Sequence, residues 1–298
     1  MLQERNFGAF EPLNPYAWDA FSQDGEDGIL QEVLGRLGVL GRAGEKWCVE
    51  FGAWDGVHLS NTHHLIRNHG FHAVMIEANK RRFRELCRNL PSEKVFKINR
   101  FVELEGENAL DAILGETPIP EDFDLLSIDI DSCDYHVWKS LTRYRPKLVI
   151  IEFNPTIPVE VPYVQPPDFS IQRGNGVKAM DSLAREKGYT TICVHGGNLI
   201  AVRNDLLHRI SNAEPPRIEE MADPEARRFL FVGYDGTILS NAEDLPMPWH
   251  PTQVSMEDLQ VLPRPLRRFT GTYTPFHWLW FGLLDHWRRL KALLVSRG

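Results

Sequence analysis

Carboxylates recur at the ends of apolar runs, and their spacing is the first sign of chemistry in this chain. WCVEF (47–51) carries Glu50 and runs into Gly52-Ala53-Trp54-Asp55-Gly56, while FHAVMIE (71–77) ends in Glu77. LLSID ends in Asp129, with Asp131 two residues on, and KLVIIE ends in Glu152, followed by Phe153 and Asn154. A glycine-bearing turn after a strand lets backbone approach a ligand, because glycine lacks Cβ and tolerates positive φ. A carboxylate about 25 residues past the first glycine is where α/β nucleotide folds hold two ribose hydroxyls, and Glu77 stands there. A dinucleotide prefers G-x-G-x-x-G, whereas Trp54 fills the middle of this loop and obstructs a pyrophosphate. S-adenosylmethionine, which has no pyrophosphate, suits the loop better. An ordinary strand–turn–helix junction has the same pattern.

Asp129, Asp131 and Asp134 crowd the end of the LLSID run, a costly arrangement unless a cation or ligand lies between them. With Glu152 and Asn154 from the next strand, Asp131 forms a set of hard oxygen donors suited to Mg²⁺, Mn²⁺ or Ca²⁺, not zinc. Such an ion lowers the pKa of a coordinated hydroxyl. The alternative is structural: Asp134 caps the next helix and Asp129 orders a loop. His136, beside the acids, is the candidate base or else a surface residue in a first helical turn. His195 reads as a turn residue. His58, His63, His64, His69 and His72 lack the spacing of a zinc helix and read as solvated or packed.

These groups need a scaffold, and its elements are legible. The patterns predict strands near 46–51, 72–77, 94–99, 123–129, 147–152, 189–194 and 198–203. Helices are expected near 26–40, 59–69, 79–90, 107–114, 134–143 and 177–187. Alternating strands and helices imply an α/β fold with a mostly parallel sheet covered on both faces. TTICV and NLIAVR, separated by His195-Gly196-Gly197, are too close for a crossover and must form an antiparallel hairpin. The long segment 154–178 is proline-rich and aromatic and reads as a substrate lid, or else as a passive connector. Residues 1–20 read as an irregular arm, and 1–211 as one domain with that arm.

Nine of the 20 prolines lie between Pro215 and Pro275, so 212–298 reads as a wrapping segment with one hairpin at RFLFVGYDGTILS. It ends in a helix carrying Trp280, Leu283, Leu284, Trp287, Leu290 and Leu294, with Arg288, Arg289, Lys291 and Arg297 beside them. Helices of this make-up lie on membranes or dock onto protein. A net charge of −8 argues against a nucleic-acid partner. The four cysteines are scattered and suit a reducing compartment. The start lacks the pattern of a secretory leader, and no apolar run is long enough to span a bilayer. The expectation is cytoplasmic, at the inner face of the membrane if the last helix engages it. Assembly state is open, homo-oligomers included.

Taken in order, SQDGED (22–27), VEFGAWDG, MIEANKRR, LLSIDIDSCDYHVW and RPKLVIIEFNP resemble a bacterial group of class I S-adenosylmethionine-dependent methyltransferases, related to FkbM-type sugar O-methyltransferases. The resemblance covers roughly residues 20–205. It implies a Rossmann-like, seven-stranded sheet whose last strand is antiparallel. It also implies that Glu50, Gly52 and Gly56 line the methionine moiety, Glu77 binds the ribose and Asp129 lies beside the sulfonium. Ser22, Gln23 and Glu26 would close the pocket, with an adenine contact near Asn99 and Arg100. FkbM-type sequences carry D-x-E-G where this chain has Asp129-Ile130-Asp131-Ser132, and the Asp with Glu-x-Asn set is closer to metal-assisted hydroxyl methyltransferases. The implied activity is O-methylation of a sugar or glycan, with Asp131, Glu152 and Asn154 holding Mg²⁺ or Mn²⁺ and Asp131 and His136 serving catalysis. The rivals are a cofactor-binding, non-catalytic partner subunit and a D-x-D phosphatase.

Overall fold

The computed structural model describes residues 10–223, 228–247, 249–250 and 252–295. They fall into two units, Met1–Ala226 and Arg227–Gly298. In the first, β1 (Trp47–Phe51), β2 (His72–Ile76), β3 (Val95–Ile98), β4 (Leu125–Ile128), β5 (Leu148–Glu152), β6 (Tyr189–His195) and β7 (Asn198–Arg203) form one sheet. Its order is β3-β2-β1-β4-β5-β7-β6. β7 runs antiparallel to both β5 and β6, and the other pairings are parallel. This is the α/β sheet expected, with the 198–203 strand as its antiparallel member.

Side chains alternate across each strand, so the sheet has two apolar faces. On one, Val49, Phe51, Val74, Ile76, Leu126, Ile128, Val149 and Ile151 pack under α4 (Leu110–Gly115), α5 (Asp134–Ser140) and α6 (Val177–Glu186). On the other, Cys48, Ala73, Met75, Leu125, Leu148 and Ile150 pack under α1 (Glu26–Arg36), α2 (His63–His69) and α3 (Lys80–Asn89). Glu50, Glu77, Asp129 and Glu152 are all in phase with the second set. The acids of four neighbouring strands therefore emerge on one side of the sheet, at its carboxyl edge.

Four helices differ from expectation by three or four residues: α4 starts at Leu110 rather than 107 and α5 stops at Ser140 rather than 143, and the other two have a visible cause. α2 starts at His63 rather than 59, because Ser60, Asn61 and Thr62 turn back to hydrogen-bond Glu50. α1 stops at Arg36 rather than 40, where Gly38 takes a left-handed φ of 73° and the Val39 N–H caps the Leu34 carbonyl. Beyond β7, α7 (Leu207–Ile210) and α8 (Ile218–Met221) bury Ile210 and Ile218 in the two apolar faces, which carries the first unit past residue 211.

The second unit holds β8 (Leu230–Val232) and β9 (Ile238–Ser240), the hairpin expected there, turning through Gly236 at φ 80°. A second hairpin, β10 (Asp244–Met247) with β11 (Thr252–Ser255), was not expected from so proline-rich a stretch. Pro246 is tolerated because a two-stranded ribbon leaves each strand one free edge. The unit ends in α9 (Pro275–Val295).

At the amino edge of the main sheet, Asp124 is fully buried. It accepts hydrogen bonds from Arg42 (3.0 and 2.8 Å) and the Trp47 N–H (2.9 Å), and pairs with Lys147 at 3.1 Å. It joins the starts of β1, β4 and β5. Asp124→Ala should leave the Trp47 N–H without its acceptor and Arg42 without its carboxylate partner, and lower unfolding stability by about 3 kcal/mol. Urea denaturation checks this, and a loss below about 1 kcal/mol would show that the anchor is dispensable.

Candidate functional site

Gly52 positions the site. Its φ is 78°, and a Cβ there would lie 1.8 Å from the Asp129 carbonyl oxygen, so only glycine lets the loops after β1 and β4 touch. Next to that contact is a cavity of about 250 Å³, lined by Gly52, Trp54, Glu77, Phe101, Asp129 and Asp131 among others. Among the described residues, non-glycine residues with positive φ are Trp54, Leu59 and Asp131. Two of these three strained positions line the cavity, as strain at a site would be arranged.

Glu77 forms one wall. It is 6% exposed, and its two oxygens accept from the Trp54 N–H (2.8 Å) and the Asn79 N–H (2.5 Å). Burial raises its pKa, opposed by those hydrogen bonds and by Arg82. Each oxygen keeps a lone pair for a hydroxyl of a ligand. Arg82 stacks 3.9 Å from the centre of the Trp54 ring, holding that ring at the cavity rim. Phe101 meets Phe169 edge-on, with ring centres 4.8 Å apart.

Asp129 and Asp131 form the opposite wall, and Glu152, which does not itself line the cavity, adjoins them. One oxygen from each lies within 4.8 Å of the others. Burial, then Asp134 and Asp131, raise Asp129 to about 7, and burial, then Asp129, raise Glu152 to about 10. Asp129 and Glu152 share a hydrogen bond, so the pair retains a proton at neutral pH. A divalent cation would answer the same crowding, and three hard oxygens suit one. Asp134 has a structural part. It is 2% exposed, raised to about 6 by burial, and it accepts from the N–H groups of Ile130 (2.8 Å) and Ser132 (3.0 Å), which shapes the Asp131 turn.

Other expected site residues lie elsewhere or are already engaged. Glu50 does not line the cavity, because Ser60 Oγ, the Asn61 N–H and Thr62 Oγ1 enclose it at 2.5–3.0 Å. Gly56 makes room for α3, since a Cβ there would strike Leu86 at 2.4 Å. Ser22 is tied to Asp19 and Asp27, Gln23 is exposed, and Glu26 accepts from Asn198 at 2.9 Å and from the Asp24 N–H at 2.8 Å. Asn99 donates to the Glu77 and Ala78 carbonyls, and Arg100, which does line the cavity, grips Glu116 with both nitrogens.

Asn154 offers its Oδ1 to Thr156 (2.9 and 2.6 Å), not to the acids. His136 Nε2 lies 2.8 Å from the Gln165 carbonyl, which can only accept, so that nitrogen carries the proton. His136 anchors the 154–176 loop instead of facing the cavity. His195 likewise ties the arm to the hairpin, through Asn14 and the Asp24 carbonyl.

Other residues of the site were not singled out from the sequence, although three of them lie in the 154–178 segment read as a lid. Phe169 and Gln172 bring the 154–176 loop into the cavity wall, and the 1%-exposed Gln165 holds that loop through the Ile171 carbonyl and the Arg173 and Gly174 N–H groups. Asp27 Oδ1 and Asn198 Oδ1 are buried without a partner. Asn198 faces Glu152 in the β5–β7 register, so its free oxygen stands beside the acids and would welcome a cationic or donor group. A larger cavity, about 640 Å³, lies at the other edge of the sheet. It is lined by Arg143, Arg145 and Arg203 against Glu121, Asp122 and Asp205, with Arg143 paired to Glu121 and Arg203 to both aspartates.

The raised values of Asp129 and Glu152 mean that the unfolded chain gives up these protons at lower pH than the folded one. Their destabilising effect is absent below about pH 4, grows as pH rises through 7 and is complete past about 10. Glu152→Gln should therefore melt with the parent at pH 4 and about 4 °C above it at pH 8.5 in a chelator. Equal melting temperatures at pH 8.5 would mean that the acids do not repel.

No family model and no curated protein matches the sequence. Solved structures overlap it in part. A proposed sarcosine dimethylglycine methyltransferase from Galdieria sulphuraria is 14% identical over 56% of this chain and 62% of that one, with a TM-score of 0.38. M. capricolum TrmK in complex with S-adenosyl-homocysteine is 13% identical over 62% and 71%, TM-score 0.36. A SAM-dependent methyltransferase from Aquifex aeolicus is 13% identical over 58% and 87%, TM-score 0.34. The chain spans less than two thirds of the first of these.

Proposed function

We propose that this chain is an S-adenosylmethionine-dependent methyltransferase acting on a hydroxyl oxygen of a sugar or glycan, assisted by a divalent cation. The observation that carries the reading is one cavity with Glu77 on one wall, Asp129 and Asp131 on the other and Gly52 between them, with a Glu152 oxygen within 4.8 Å of those of the two aspartates. When bound, S-adenosylmethionine supplies an electrophilic methyl group, and the cation, held by Asp129, Asp131 and Glu152, acidifies the attacking hydroxyl.

The protein's own groups do the positioning. Glu77 would accept from the two ribose hydroxyls through the lone pairs left by Trp54 and Asn79, while Ile76, Val102 and Phe101 would offer an apolar seat for the base. Asp27 Oδ1 and Asn198 Oδ1 are acceptors suited to an ammonium group such as that of the methionine moiety. Asp129 and Glu152 hold a proton that must leave before both can bind a cation. Phe169 and Gln172 pair an aromatic face with an amide at the rim, the kind of surface that holds a sugar ring. At about 250 Å³ the cavity is smaller than most small-molecule sites, so the 154–176 loop should move outward as ligand enters. Alignment of methyl donor and hydroxyl would supply most of the rate.

Calorimetry tests the reading. S-adenosylhomocysteine should bind the parent, and Glu77→Ala should weaken that binding about 30-fold, as expected for losing charge-assisted hydrogen bonds. Mg²⁺ titrated near pH 7 in buffers of different ionisation enthalpy should release about one proton per ion, from the Asp129–Glu152 pair. A parent that binds no S-adenosylhomocysteine would overturn the proposal. Cofactor binding with no methyl transfer to any glycan acceptor would favour the partner-subunit alternative.

A further inference from the structure

α9 has two apolar faces, and its own unit uses only one. His277, Phe281, Leu284 and Arg288 are part-buried on the first. There Tyr273 lies 5.6 Å from His277 and 6.4 Å from Phe281, ring centre to ring centre, and Arg288 donates to the Val261 carbonyl. Of the six apolar residues singled out from the sequence, Leu284 belongs to this docked face, Trp280 is part-buried with its ring centre 6.1 Å from that of Phe276, and the side chain of Leu294 lies outside the described residues. Phe276, Leu279, Leu283, Trp287 and Leu290 follow one another at spacings of three and four along a second face, and each is 48–65% exposed. This bare stripe is about 20 Å long.

The charge around the stripe points to what covers it. Between residues 260 and 298 the chain has seven basic residues and one acid, Asp285; Arg264 and Arg267 are paired with Glu257 at 3.4 and 2.8 Å, so the surplus rests on Arg268 and the basic residues of the last helix. Arg289 pairs with that acid at 2.9 Å, and Lys291 sits at the stripe's edge, 5.5 Å from the centre of the Trp287 ring. Two copies meeting stripe to stripe would bring two strongly basic ends together, which disfavours self-association. An anionic surface satisfies both the apolar stripe and its basic border. Among the described residues no helix is long and apolar enough to cross a membrane.

From these observations we infer that α9 lies in the plane of an anionic bilayer, with Phe276, Leu279, Leu283, Trp287 and Leu290 inserted among the lipids and the basic residues at the headgroups. This stands apart from the reaction proposed above. The test uses the full chain with vesicles of phosphatidylcholine, with and without 30% phosphatidylglycerol (roughly the anionic content of a charged leaflet). The parent should co-sediment with the anionic vesicles, and binding should weaken at least about tenfold in high salt. The double substitution Leu283→Glu with Trp287→Glu should weaken it at least about 30-fold while leaving the melting temperature unchanged. Leu279→Glu, a single change on the same face, is the second variant should the first fail to fold. Absence of binding by the folded parent, equal binding to neutral vesicles, or parent-like binding by a folded stripe variant would each overturn the inference. So would a dimer that the stripe variants disperse.

Discussion

The site depends on a backbone contact that permits no side chain. Where the loop after β1 meets the loop after β4, Gly52 lies against the Asp129 carbonyl, and the clearance is too small for a Cβ. That contact closes the floor of the cavity. It also commits the chain after β4 to a tight path, in which Asp131 takes a left-handed conformation and Asp134 gathers the N–H groups of the turn. Asp129 and Asp131 are delivered to the cavity because the backbone can pass there.

A second constraint is phase. In a sheet buried on both faces, one residue of slip would send an acidic strand end into the opposite apolar layer. Glu50, Glu77, Asp129 and Glu152 share the phase of Cys48, Met75, Leu125 and Ile150, so all four emerge on the side covered by α1, α2 and α3. They are then treated differently. Glu50 is enclosed by hydroxyl and amide donors, Glu77 keeps lone pairs toward the cavity, and Asp129 and Glu152 are left to share a proton. Similar residues at similar strand ends thereby become a structural clamp, a hydroxyl acceptor and a candidate cation site.

His136 illustrates the same division of labour. Proximity in sequence to Asp129, Asp131 and Asp134 made His136 a candidate base, yet its Nε2 is used on the Gln165 carbonyl. Its contribution is to hold the loop that supplies Phe169 and Gln172. In the second unit a comparable split runs along α9, where one face of the helix is satisfied within the unit and the other is left to the surroundings.

Read alone, the chain determined its strands, the antiparallel hairpin of β6 and β7, the acidic strand ends and the glycine turn. These follow from local rules: unbroken apolar runs, a three-residue connection, and glycine where φ must be positive. Tertiary structure decided which acids face open space and which are enclosed, because that turns on partners far away in sequence. Ser60 and Thr62 reach Glu50 across ten and twelve residues, and the β5–β7 register brings Asn198 to Glu152. The β10–β11 hairpin and the bare stripe of α9 were hidden for the same reason. Periodicity says that a face is apolar, and only packing says whether anything in the chain covers it.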